Sequence, residues 1–243
     1  MSGAAGMKKT LGIIGGLGPM ASAQFMELLT AMTDAATDQE HMEAILYSRP
    51  ATPDRTAFLL GKSDENPLPF MRETGLRLEQ MGAEVLAIPC MTAHSFFPQL
   101  QAAFHAELLN PITGSAELLR SQGVRRAGIM ATDGTLQVGL FQEALSAAGI
   151  EPVVPDGTHQ REVMRMIYEQ VKSGKPADLE CFHAVAHAMR VRGAEYIILG
   201  CTELSVIREQ QEIGAGFLDA MAVLAASAIE ACGYSVKVSP LAL

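Results

Sequence analysis

Two stretches of this chain carry the residues best suited to chemistry. They read GAEVLAIPCMTAH, residues 82–94, and GAEYIILGCTELS, residues 193–205. Both open on Gly-Ala-Glu and run through an apolar segment that reads as a buried strand. Each then reaches a cysteine eight residues after its glycine (82 to 90, 193 to 201), giving Cys90 and Cys201. A thiol titrates close enough to neutrality to serve as either an acid or a base. Buried cysteine is also common as a small apolar residue, and it is the shared position in a repeat that argues for chemistry. Two thiols facing one small ligand suit the inversion of a carbon centre. A base takes the proton from one face while an acid delivers one to the other, which a single central group does poorly.

The elements that must position the thiols alternate between strand and helix. Residues 11–14 read as a buried strand, followed by a turn at Gly15, Gly16 and Gly18 and a helix opened by Pro19, a residue tolerated in a first turn. EAILYS and AEVLAIPC read as further strands, PDRTAFLLG as a loop entering a helical turn, and residues 96–108 as a helix. The pattern then restarts. GVRRAGIMATDGT repeats the order of MKKTLGIIGGLG, and IEPVVP and AEYIILGC supply later strands. Residues 162–174 and 177–193 read as helices, and 216–232 as a final helix. Near-continuous apolar strands alternating with helices indicate parallel α/β sheets. The repeat indicates two similar lobes related by pseudo-two-fold symmetry, one from residues 1–108 with 209–243 and the other from 109–208. Ligands of such sheets bind beyond the carboxyl ends of the strands, where both cysteines fall, so the cleft between the lobes is the expected site. A helix N-terminus after each strand would favour a thiolate.

Composition narrows the partners. The chain has 243 residues, 49% hydrophobic and 19% charged, with a formal net charge of −9 and no basic run. Nucleic acid and anionic membranes are therefore not expected partners. MSGAAGMKKT lacks the apolar core of a secretory signal, and the apolar run at 221–229 is too short to span a bilayer. Four cysteines in a chain this long suit a reducing cytoplasm rather than a disulfide framework.

The motifs GGLGPMAS, PDRTAFLLG, PCMTAH, YEQVKSGK and LGCTELS, in this order, resemble the aspartate/glutamate racemase family of cofactor-independent amino-acid racemases. The resemblance spans about residues 8–232. It implies an active site between two α/β lobes, a homodimer, an acidic amino-acid substrate, and no need of pyridoxal phosphate or metal. It implies Cys90 and Cys201 as the acid/base pair, Cys90 deprotonating the D-enantiomer and Cys201 the L-enantiomer. It further implies Arg55 and Lys172 as carboxylate anchors, and Thr92, Thr202 and Thr132 as hydrogen-bonding groups. Glu203 is a candidate acceptor for the substrate amine or for backbone. One departure stands out. The family's first cysteine is usually followed by asparagine, and here it is Met91, whose thioether is at best a weak acceptor. Met91 would suit a more apolar substrate or leave a poorer enzyme.

Other readings fit less well. GLGPMA matches a dinucleotide-binding turn, but the next strand ends in Ser48 and Arg49 instead of an acidic residue. His183 and His187 share a helical face without a second ligand pair, and His94 fits a structural role. The alternatives kept open are a hydantoin racemase or maleate isomerase-like enzyme using the same cysteines, and a two-lobed small-ligand binding protein with weakened catalysis.

Overall fold

A computed structural model describes residues 8–242. Residues 1–7, the start of the stretch read above for a secretory signal, and residue 243 lie outside the described residues. The first sheet is built from β1 (Leu11–Gly15), β2 (Ala44–Ser48), β3 (Val85–Ala87) and β4 (Glu107–Leu108), all parallel, in the order β2-β1-β3-β4. The second uses β5 (Arg126–Met130), β6 (Glu151–Val153), β7 (Tyr196–Leu199) and β8 (Phe217–Asp219) in the matching order β6-β5-β7-β8. The fold is α/β with two similar lobes.

Helices cover both faces of each sheet. In the first lobe these include α1 (Pro19–Met32), the single turn α2 (Arg55–Leu59), α3 (Leu68–Gln80) and α4 (Phe97–Gln101). In the second they include α5 (Pro111–Ser121), α6 (Asp133–Val138), α7 (Leu140–Ala147), α8 (Gly157–Arg165), α9 (Leu179–Val191) and α10 (Thr202–Gln210). The last helix, α11 (Ala220–Ala231), leaves the second sheet and buries Met221, Leu224 and Ile229 against Phe25, Leu29 and Val85 of the first lobe.

Three local features depart from the sequence expectation, each for a physical reason. Residues 96–108 do not form one helix. A 3-10 segment at Met91–Phe96 leads into α4, which ends near Gln101, and the chain then joins the sheet edge as β4. Side chains satisfy the freed backbone there: Glu79 accepts from His105 and Ala106 N–H, while the Gln101 amide bonds Ala106 O and Leu108 N. Helix α5 was not read from the sequence. It starts at an Asn-Pro pair, with Asn110 Oδ1 accepting from Ile112 and Thr113 N–H and Pro111 at the first position. The final helix begins at Ala220, because Gly216 is left-handed (φ 86°) and Phe217–Asp219 pairs with β7 as strand β8. Residues 209–243 therefore do not fall wholly within the first lobe.

Gly16 shows what the glycine turn after β1 does. Its φ is 86°, and a Cβ there would lie 2.3 Å from Arg49 N. The turn packs against the backbone at the end of β2 and is pinned by Gly16 N–H donating to Ser22 Oγ at 2.8 Å. Its close approach is to its own chain.

Candidate active site

Cys90 and Cys201 occupy equivalent places in the two lobes. Each follows the equivalent interior strand of its sheet (β3 or β7) in extended backbone, Cys90 preceding the 3-10 turn and Cys201 preceding α10. Both are 6% exposed and both line one small cavity of about 280 Å³ between the lobes. Arg55, Met91, Thr92, Thr132, Lys172, Thr202 and Glu203 line it too. The structure adds Leu17, Asp54, Thr56 and Tyr168, which the sequence reading did not single out. A wider mouth of about 890 Å³ adjoins the cavity, and Arg55, Lys172 and Glu203 belong to both.

The two sulfurs have opposite electrostatic neighbours. Arg55, at the start of α2, is 8% exposed. Its guanidinium donates to the Leu17 and Pro53 carbonyls and lies 3.7 Å from Cys90 Sγ. Asp54 caps this turn by accepting from Ala57 N–H at 2.8 Å. Cys201 Sγ instead donates to Glu203 Oε2 at 2.9 Å, and the same oxygen accepts from Thr202 Oγ1 at 3.3 Å. Burial, reinforced by the Glu203 charge, pushes the Cys201 thiol well up. A negative charge on Cys90 would face a cation, and one on Cys201 would face a carboxylate.

Lys172 sits where the helix following β6 changes its winding. After α8 the chain makes a π turn at Met166–Gln170 and a 3-10 turn at Val171–Ser173, ending at left-handed Gly174. This brings Lys172 Nζ over the Tyr168 ring, 4.1 Å from its centroid, and to 3.9 Å from Glu203 Oε1. Burial disfavours the Lys172 charge, but Glu203, Cys201 and Tyr168 together hold its pKa above the ordinary value. The Tyr168 hydroxyl reaches Asp54 Oδ2 at 3.3 Å, joining the lobes across the cleft. Regular 3.6-residue periodicity through this segment gives no hint of Tyr168, because the π turn shifts its phase.

A buried group of threonine hydroxyls also bridges the lobes. Thr92 and Thr132 lie 3.1 Å apart, each bonds Thr135 (2.9 and 3.1 Å), and Thr56 donates to Thr132 at 3.3 Å. These groups can exchange bonds with an incoming carboxylate without leaving a charge behind.

Met91 lines the cavity yet is 2% exposed, packed in the second-lobe cluster with Ile112, Ala116 and Ile129. An amide placed there loses apolar contact and must find partners in that cluster. Met91→Asn is therefore expected to destabilise the protein by about 1–3 kcal/mol, and Met91→Leu far less. Denaturant melts of the two variants check this.

His94 Nδ1 bonds Cys90 O at 3.0 Å, and burial pushes its pKa down to about 4. The imidazole is thus held neutral and braces the Cys90 loop. Because its folded value lies below the unfolded one, near 6.5, the unfolded chain binds the extra proton between the two. Stability from this group is complete above that upper value and is lost as pH falls toward the lower one. The loss should reach about 2 kcal/mol near pH 5 relative to pH 7.5. In His94→Gln that component of the pH dependence should vanish, as thermal melts at the two pH values will show.

Among the described residues no cluster of three or more His, Cys, Asp or Glu is arranged to hold a metal ion, and no helix is long and apolar enough to cross a membrane. All four cysteines are free.

Comparison with known proteins agrees with this geometry. The family model for Asp/Glu/hydantoin racemase matches residues 14–228. The broad specificity amino-acid racemase RacX of Bacillus subtilis is 22% identical over 90% of this chain and 96% of its own length. The aspartate racemase of Picrophilus torridus superposes with a TM-score of 0.82 at 31% identity, covering 94% of this chain and 96% of that one. A glutamate racemase from Francisella tularensis shares the fold, with a TM-score of 0.69 at 14% identity over 92% of this chain and 80% of that one. With a family match across most of its length and a structural relative at 31% identity, the chain belongs to the Asp/Glu/hydantoin racemase family and is an isomerase, an amino-acid racemase.

Proposed function

We propose that the protein racemises aspartate or glutamate by two-base proton transfer between Cys90 and Cys201. The observation that carries this reading is the pair of cysteines at matching strand ends, lining one cavity, one beside a guanidinium and the other bonded to a carboxylate. On this reading Cys90, beside the Arg55 guanidinium, acts as the base toward the D-enantiomer, while Cys201 holds its proton on Glu203. With the D-enantiomer bound, Cys90 removes the Cα proton and becomes a thiol. Cys201 gives its proton to the opposite face and becomes the thiolate. The L-enantiomer then leaves, and exchange with solvent, Cys90 losing its new proton and Cys201 regaining one, restores the starting state. The carbanion formed between the two steps needs preorganised donors, which the hydroxyls of Thr92, Thr132 and Thr202 supply around the α-carboxylate. Lys172, lining both cavity and mouth, is the cation for a side-chain carboxylate, and its pairing with Glu203 keeps it charged. Glu203 in turn holds the Cys201 proton and faces the substrate ammonium. The free thiols support a cytoplasmic setting, and a homodimer follows from the family resemblance.

The test is to incubate the protein separately with L- and D-aspartate and L- and D-glutamate in deuterium oxide. Proton NMR then follows the Cα–H signal, and chiral chromatography follows the enantiomers. Exchange accompanied by interconversion is expected for at least one of the two amino acids. Binding without exchange would leave a ligand-binding protein, and exchange confined to neutral amino acids or hydantoins would overturn the acidic substrate.

A further inference from the structure

A second polar pocket, of about 720 Å³, shares no lining residue with the cysteine cavity or its mouth. One wall is α1 of the first lobe and the other is α10 of the second, with Asp219 and Met221 at its base. It holds hydrogen-bonding capacity that the protein does not use. Gln24 is only 9% exposed, and its Oε1 is buried with no partner among the described residues. Arg208 Nη1, from the far end of α10, is likewise buried and without a partner. Buried polar atoms without partners are rare in native proteins and need an explanation. Asp219 is 3% exposed, and its Oδ1 accepts from Ser205 Oγ at 2.6 Å and Met221 N–H at 2.8 Å.

The charges select the ligand. A free anion would find one guanidinium among three carboxylates, those of Asp219, Glu27 and Glu209. A free cation would meet the unbonded Arg208. A molecule carrying one charge of each sign satisfies both. Leu28, Ala31 and Met221 offer apolar surface alongside. We infer that this pocket is a binding site for a free α-amino acid with an apolar side chain, its carboxylate on Arg208 and its ammonium between Gln24 Oε1 and Asp219. Such a ligand bridges the lobes, since Gln24 and Arg208 come from opposite sides. The inference does not depend on racemisation, and binding alone tests it.

The probes are L-leucine, its decarboxylated analogue isopentylamine, its deaminated analogue 4-methylpentanoate, and inorganic phosphate. Binding to the intact protein is measured by saturation-transfer NMR and titration calorimetry. L-Leucine should bind, and each single-charge analogue and phosphate should bind at least about tenfold more weakly. Arg208→Gln and Gln24→Leu should each weaken L-leucine by at least about tenfold, while Cys201→Ser should leave it unchanged. Absence of leucine binding up to about 10 mM would overturn the inference. So would equal binding of either analogue or of phosphate, or affinity unaltered in both folded pocket variants. If a variant does not fold, Arg208→Lys and Gln24→Met take its place, since leucine held in the cysteine cavity would show the same preference over its analogues.

Discussion

Cys90→Ser and Cys201→Ser should each lower racemisation by about 10²–10⁴-fold in both directions, the range that general acid–base groups contribute. A hydroxyl loses its proton far less readily than a thiol, so serine serves neither as the base toward the D-enantiomer nor as the base toward the L-enantiomer. The two variants should nevertheless differ. Cys90→Ser removes the sulfur beside Arg55 and with it the base toward the D-enantiomer. Cys201→Ser leaves that base in place, so it should still wash deuterium into D-aspartate slowly without releasing L-aspartate. Both cysteines are small and 6% exposed, and serine is nearly the same size, so melting curves should move little. Single-enantiomer exchange in deuterium oxide, read beside chiral chromatography, separates the cases. Turnover near the natural rate in either variant would remove the two-base mechanism.

Arg55→Lys should lower kcat/KM by about 10- to 100-fold, since hydrogen bonds to a charged group contribute about 1.5–3 kcal/mol. The guanidinium is a planar fork that bonds the Leu17 and Pro53 carbonyls while lying against Cys90. A single ammonium cannot hold all three positions. The substrate profile then separates two roles. If Arg55 chiefly sustains negative charge on Cys90, the loss is equal for every amino acid turned over, and Cys90 alkylation at neutral pH slows in parallel. If it grips a side-chain carboxylate, aspartate and glutamate suffer more than neutral substrates and alkylation is unchanged. Because Nη1 and Nη2 are already engaged by the Pro53 and Leu17 carbonyls, we expect the first outcome. Unchanged kinetics together with unchanged alkylation would place Arg55 outside the reaction.

Much of this site was legible before any coordinates, because a repeat places equivalent residues at equivalent strand ends. Gly-Ala-Glu, an apolar strand and a cysteine, occurring twice, locate both thiols. Tyr168, Thr56 and Thr135 were not legible, for different reasons. Tyr168 reaches the cleft through a π turn that breaks helical phase. Thr56 and Thr135 become neighbours through Thr132 only when α2 and α6 meet across the lobes, and no spacing within one segment records that. Met91 was read as a residue facing the ligand, and the structure shows its side chain also packed in an apolar cluster of the other lobe. The helix at Pro111–Ser121 had a readable start in Asn110-Pro111. Its Ile112, Ala116 and Leu119 recur at helical spacing as well, so the whole helix was legible.

The path of α11 has a consequence for the order in which the protein is made. The strands and helices of the second sheet, from α5 to β8, form one unbroken stretch of chain. The first lobe is completed only when α11 returns to cover Leu11, Phe25, Met32 and Val85. During synthesis the second lobe therefore has its strands in hand before its older neighbour can close its core, reversing the usual amino-terminal-first order. A chain held with Asp219 just clear of the ribosomal exit tunnel should protect the α8–α9 face of the second sheet while leaving the α1 face of the first open to proteases. Extension past Ala231 should close that face.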